Sequence, residues 1–445
     1  MISFMQKLKD YSFARWLLCS HGLYRYLYPT DSELKALTGK DKIKGKKGGK
    51  HEGNGKPETF QVPRSLDIKL ETAPITPLDV IHLRFYSEYY WIVDFSLYTA
   101  IVYVYSSIFP LKDEFNLSMV WCLLVVIFSI KILLSLTKQY FTSEESIGER
   151  STCIVSFSVF LLIAMMVLIV DETNLEVGVD PAYDSFYENA SKFLENQGLS
   201  SVGPASKLII KLCLAVWAAI IGALFTFPGL RVARMHWDSF LLNFNFAMPF
   251  VLVLLWIRPI TRHYLTVRVF SGMAKPLLRS EAFDTLRIVL VVVTAVLRLA
   301  MIPRQLQGYL DMPLARLQAQ RKEAGNITNI DLQKKISSVF YYLCVVGLQC
   351  LCPLLLTLHA ALLYKSLGGY TWAALLRDSP PVCAAREPAS MDPDEFWNAL
   401  QASVFPVFTQ EVYRGIFGFA TWWCCFAWFI TTSLGLAYQT YFRIS

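Results

Sequence analysis

Ionisable side chains interrupt stretches that are otherwise apolar for about twenty residues, the length of helix that crosses a bilayer, among them Asp94, Lys131, Lys211, Arg287 and Arg298. A charge at mid-bilayer costs at least about 2.5–3.5 kcal/mol, so each needs a partner, a water-filled crevice or a route to the head groups. Lys131 and Lys211 lie within a few residues of the ends of their apolar stretches, and snorkelling satisfies both. Asp94 and Arg298 sit at matching depths, which predicts a salt bridge between their helices. Arg287 and Arg298 are 11 residues apart, so on a helix they share a face to within about 20° and stand about 16 Å apart along the axis. Two uses of that face stay open: it lines a path for an ion or anion, or Asp94–Arg298 is a structural pair and Arg287 snorkels outward. Asn243 and Asn245 add uncharged polar groups that must face protein, and His359 is a titratable group that is more often a packed hydrogen-bonder than a proton carrier.

Other chemistry is not written into the chain. It has no H-E-x-x-H, no phosphate-cradling G-x-x-x-x-G-K-[ST], no full G-x-G-x-x-G and no G-x-S-x-G. Cys350 and Cys352 are two apart and diverge on a helix, a poor metal clamp. Eight of the ten cysteines fall in apolar runs, where a thiol is a small hydrophobe. The expectation is no catalytic residue, no metal, no cofactor and no enzyme activity.

The elements that carry these charges are long helices. Of 445 residues, 54% are apolar and only 17% charged, which excludes a disordered chain; ten cysteines in 445 residues exclude a disulfide scaffold. Eight stretches are long enough to span, at about 89–109, 117–136, 152–170, 208–227, 239–257, 283–302, 339–363 and 415–438. Pro228 is expected to close the fourth, and the charges Asp284, Arg287 and Arg298 make the sixth the least regular. Continuous runs exclude a barrel of alternating strands. The fold class is therefore all-α, a polytopic transmembrane helix bundle of about eight spanning helices. Ala218, Ala219, Gly222 and Ala223 form small-xxx-small pairs that let a neighbouring helix approach closely.

Residues 1–86 read as a basic cytosolic head. Tyr11–Tyr28 fits a helix lying in the membrane interface or, equally, one packed on a neighbouring cytosolic surface, and 39–56, with seven lysines, a disordered Lys/Gly linker suited to anionic lipid. Fifteen Lys and Arg precede Tyr89, which predicts a cytosolic amino terminus and, with eight spans, a cytosolic tail 439–445. Arg258, Arg262, Arg268, Lys275 and Arg279 fall on the opposite side and argue against that count. The net charge of +7 reflects this topology, not affinity for nucleic acid. On the outer side, loop 171–206 has seven acids and an apolar stripe at Tyr183, Phe186, Ala190, Phe193 and Leu194, predicting an amphipathic helix capped at Gly198. Its Asn189-Ala-Ser is the glycosylation candidate; Asn116 abuts a span and Asn326 would be cytosolic. The basic loop 303–337 reads as a cytosolic helix, with Leu306, Leu310, Leu314 and Leu317 as a stripe for a partner or for the underside of the bundle.

Several stretches carry a family likeness: SFARWLLC (Ser12–Cys19), WCLLVVIFSIK (Trp121–Lys131), GERSTC (Gly148–Cys153), LFTFPGLRVARMH (Leu224–His236), RPITRHY (Arg258–Tyr264), FYYLCVVGLQ (Phe340–Gln349) and KSLGGYTW (Lys365–Trp372). In these the chain resembles the transmembrane protein 161 family of animal multi-pass membrane proteins. Members usually begin with an apolar segment, which Met1–Lys9 replaces here. The resemblance implies a modulator of potassium and calcium currents and of cellular excitability, with ion-channel subunits as partners in the endoplasmic reticulum or plasma membrane. It also implies resistance to oxidative stress. The residues themselves leave a rival open: an ion channel or transporter using Asp94, Arg287 and Arg298.

Overall fold

The computed structural model describes residues 12–19, 22–38, 59–64, 66–109, 118–142, 147–196, 206–235, 239–269, 276–323, 325–372 and 407–442. The lysine linker, Asn116, Gly198 and Lys275 lie outside them, as do the side chains of Asn243 and Asn245.

Small elements come first: α1 (Phe13–Cys19), β1 (Tyr24–Tyr26), α2 (Asp31–Leu37), β2 (Gln61–Pro63), β3 (Thr72–Pro74) and α3 (Pro77–Ile81). Long helices follow: α4 (Tyr86–Ile108), α5 (Ser118–Thr142), α6 (Ile147–Ile169), the amphipathic α7 (Val179–Asn196), α8 (Lys207–Arg234) and α9 (Ser239–Leu254). After a π-helix at Arg258–Val267 come α10 (Ser280–Leu310), α11 (Met312–Gln320), β4 (Asn326–Thr328), α12 (Asn329–Tyr341), α13 (Leu343–Leu367) and α14 (Gln410–Phe442).

Seven helical stretches among the described residues are long and apolar enough to cross a membrane. Among the described residues, α9 makes an eighth passage. α9 has 16 residues, about 24 Å of helix. It leaves from beside Met235, whose carbonyl lies against Gly308 near the end of α10. It arrives where Trp256 O accepts from Glu176 N and Arg258 N donates to Asn174 O, each at 3.0 Å. Met235 therefore marks the amino-terminal end of the bundle and Trp256 the acidic-loop end. This is the all-α polytopic bundle the sequence predicts.

α13 is the central post, its apolar window 83% buried against 22% for α6. A helix that is apolar on every side until its last turn, where Lys365 lies, has no side to give to water, and α13 takes the middle while α6 faces lipid. α8 does not stop at Pro228 but continues to Arg234. The lost N–H is tolerated because Gly229 presses the helix against Thr431 of α14, so packing holds what the missing rung does not. The small-residue stripe does bring helices close: Gly222 is covered by the Phe160 ring, and Trp423 Nε1 donates to Ala218 O at 2.7 Å.

The head is a packed unit. β1 pairs antiparallel with β3, and β2 with β4. Leu34, Val62, Ile68, Leu317, Ile327, Leu332 and Ile336 form its own small core. The helix expected over Tyr11–Tyr28 ends at Cys19, and its Ala14, Leu17 and Leu18 are buried against protein, leaving Trp16 exposed. Loop 303–337 is not one helix: Pro313 begins a new one, and β4 follows. Leu306 and Leu310 are buried beneath the bundle and Leu317 in the head's core, so the stripe is internal packing. Asn326 lies on β4 in this head, its amide donating to Gln61 Oε1 at 3.2 Å.

Candidate functional site

The strongest concentration of buried charge lies at the acidic-loop end. Arg287, two turns into α10, has a side chain only 2% exposed. Its guanidinium pairs with Asp284 one turn earlier and stands 3.6 Å from Glu176 of the acidic loop. It also packs over the rings of Trp256 and Phe283, 5.1 and 5.3 Å from their centroids. Arg262 of the π-helix pairs with the same Glu176 and lies 3.5 Å from Asp284. Two carboxylates and two guanidiniums thus alternate, so that each buried charge faces opposite ones. Arg287 does not snorkel outward.

Local backbone sets this geometry. The Leu175–Ile257 bridge ties the acidic loop to the end of α9 and aims Glu176 at α10. Pro259 starts the π-helix, and Thr261 Oγ1 donates to Ile257 O at 2.9 Å, so Arg262 turns inward. α13 and α14 close the same end. Arg414 Nε donates to Gly368 O at 2.6 Å and packs over Tyr370, whose hydroxyl is 3.0 Å from that of Tyr364.

The predicted Asp94–Arg298 salt bridge is absent. Asp94 Oδ1 instead accepts the backbone N–H of Ala14 at 2.9 Å. The first N–H groups of a helix have no partner within it, and a carboxylate supplies one while opposing the positive helix end. A sequence reading limited to charge pairs misses a backbone partner 80 residues away. Asp94→Ala is expected to undock α1 at a cost of about 1–3 kcal/mol. Trypsin should then cut after the exposed Arg15 faster than in the native protein; equal rates would refute the docking role. Arg298 packs over Trp428 of α14, 5.2 Å from its centroid. The shared inward face of Arg287 and Arg298 is as the 11-residue spacing requires.

Lys211 reaches the acidic loop: Nζ lies 2.8 Å from Asp180 and donates to Leu168 O. Lys131 is exposed on α5, on the face of Ile127 and Leu134, five residues before the apolar run ends at Leu136. Asn189 lies within α7, its amide donating to Ser185 O at 2.8 Å. The acidic loop is partly neutralised: burial raises the Asp180 carboxyl, but Lys211 and Lys207 outweigh it and hold it below the usual carboxylate range. Burial pushes neighbouring Glu172 up. Asp180 therefore stabilises the fold at neutral pH and loses that contribution as pH falls below about 4. Glu172 has the opposite sign, its penalty lifting on acidification. Asp180→Asn should speed hydrogen exchange in Val179–Asn196 at neutral pH and remove the acid-induced increase. Unchanged exchange would show that the lysine contacts do not hold α7.

Glu176, Arg262 and Asp284 escaped the sequence reading as a group. The i,i+3 spacing of Asp284 and Arg287 was readable; the meeting of two loops 86 residues apart was not. Among the described residues no group of three or more His, Cys, Asp or Glu could hold a metal.

Eight passages, a buried central helix and internally paired charges define a polytopic α-helical membrane protein fastened at one end by an ionic clasp. The chain belongs to the family described as predicted transmembrane protein 161AB, whose model matches residues 1–443. No solved structure matches it.

Proposed function

We propose that this protein is a non-enzymatic, membrane-embedded modulator of potassium- and calcium-channel currents, acting through channel subunits and lipid. The observation that carries this reading is Arg287. At 2% exposure, between Glu176, Asp284 and two rings, its charge fastens the acidic loop to the bundle and is not offered to a passing ion. The link to currents and excitability comes from the family resemblance, which also supports a part in oxidative-stress resistance.

A second reading, conduction along the inward face of α10, is favoured by Thr294, Arg298 and Gln305, which line one slot in the bundle. Purified protein in liposomes separates the two. Ion flux at the level of empty liposomes, together with altered channel current on co-expression, is the expected result. Flux that Arg298→Ala abolishes would overturn the modulator.

We further place the head in the cytosol and the acidic loop outside, in the endoplasmic reticulum or plasma membrane, with the lysine linker against anionic lipid. The excess of Lys and Arg before Tyr89 supports this. The five basic residues that argued against it include Arg262, which the acids Glu176 and Asp284 neutralise. A glycosidase-sensitive mass lost in Asn189→Gln is expected; lysine-linker cleavage by protease added outside intact cells would reverse the orientation.

A further inference from the structure

Lys365 and Trp372, the two ends of the KSLGGYTW stretch, are brought together by a glycine turn. Lys365 lies in the last turn of α13, and the chain reverses after it. Gly369 takes a left-handed φ of +69°, which favours glycine, and a Cβ there would run into the Gln410 amide. Tyr370 N donates to Lys365 O at 3.0 Å, and Thr285 Oγ1 of α10 donates to Thr371 O at 3.4 Å. The Trp372 ring then stands 5.1 Å from Lys365 Nζ, and the Tyr103 ring of α4 flanks the same ammonium at 5.9 Å. Tyr103 is fixed in turn, its hydroxyl 2.7 Å from Ser366 Oγ.

Two ring faces attract the charge, but an ammonium has three N–H donors that need oxygen acceptors. Among the described residues Lys365 makes no ion pair and donates no hydrogen bond. It is half-buried and lies two residues past the apolar run 339–363, at the depth of the head groups. Leu358, seven residues earlier, shares its face of α13 to within about 20°. Leu358 and Val292 of α10 are half-buried and pack on Tyr103 and Leu362, which leaves part-exposed apolar surface below the ammonium. We propose that Lys365 binds the phosphate of a membrane phospholipid in the leaflet at the acidic-loop end, with one acyl chain along Leu358. A phosphodiester at that depth supplies the missing acceptors and a compensating charge, and it arrives tied to a chain that covers the apolar surface.

The test is lysine acylation of the full chain, purified in maltoside and stripped of lipid, with each lysine read by peptide mass spectrometry. Dioleoylphosphatidylcholine should slow labelling of Lys365 about tenfold, and Lys192, exposed on α7, should not respond. O-ethyl dioleoylphosphatidylcholine keeps the chains but lacks the negative charge of the phosphate. Inorganic phosphate keeps the charge but lacks the chains, and neither should protect. No protection by phosphatidylcholine, or equal protection by its O-ethyl form, would overturn the proposal. Protection by inorganic phosphate as strong as by the lipid assigns the site to a soluble anion and overturns it as well.

Discussion

Arg287→Ala should destabilise this protein by about 3–5 kcal/mol, the cost of removing one partner from a buried ionic cluster. The variant leaves Glu176 and Asp284 facing each other with only Arg262 to compensate, and it opens a void beside Trp256 and Phe283. Arg287→Lys should recover part of the loss, since an ammonium restores charge but not the planar contact with two rings. A cluster made neutral throughout, with Glu176→Gln, Arg262→Gln, Asp284→Asn and Arg287→Met, should cost less than the single change. Loss of a whole ion cluster removes its desolvation penalty together with its attraction. Thermal unfolding in detergent, followed by size-exclusion recovery, reads all three. A single alanine variant as stable as the native protein would show that the clasp does not hold the acidic loop.

The clasp also shows where sequence reading stops. Apolar stretches located the spanning helices, because crossing a bilayer is a constraint local to each segment. Helical periodicity placed Arg287 and Arg298 on one inward face for the same reason. Pairing across the fold is not local. Asp94 was matched to Arg298 on depth and charge alone, yet a helix start supplies N–H donors that no count of charges reveals, and α1 took the carboxylate. Pro228 read as a terminus because proline lacks a donor; whether a helix survives it depends on the neighbour, and Gly229 against Thr431 supplied one. The basic loop that argued against the topology shares an end of the bundle with the acids of loop 171–206, and Arg262 pairs with one of them.

The seam between α8 and α14 should be the least tolerant part of the bundle. A Cβ at Gly229 would meet the Thr431 side chain and stand 2.9 Å from its carbonyl carbon. One at Gly435 would come within 2.5 Å of Ala233 Cβ and 3.2 Å of Leu230 Cα. Backbone cannot swing aside as a flexible side chain does, so the helices must part, and Trp423 then loses its hydrogen bond to Ala218. Gly229→Leu and Gly435→Leu should each cost about 3 kcal/mol or more, the upper end of overpacking in a close-packed interior. Pairing Gly229→Ala with Thr431→Ala should recover only part of the loss, because the carbonyl carbon of residue 431 remains in the way. Gly148 is the control: nothing lies within 4 Å of its added Cβ, and Gly148→Ala near the start of α6 should be neutral or slightly stabilising. Detergent-solubilised melting temperatures compare the four variants directly. If Gly435→Leu melts with Gly148→Ala, close approach of α8 and α14 is not what holds this side of the bundle, and the small-residue stripe would need another purpose.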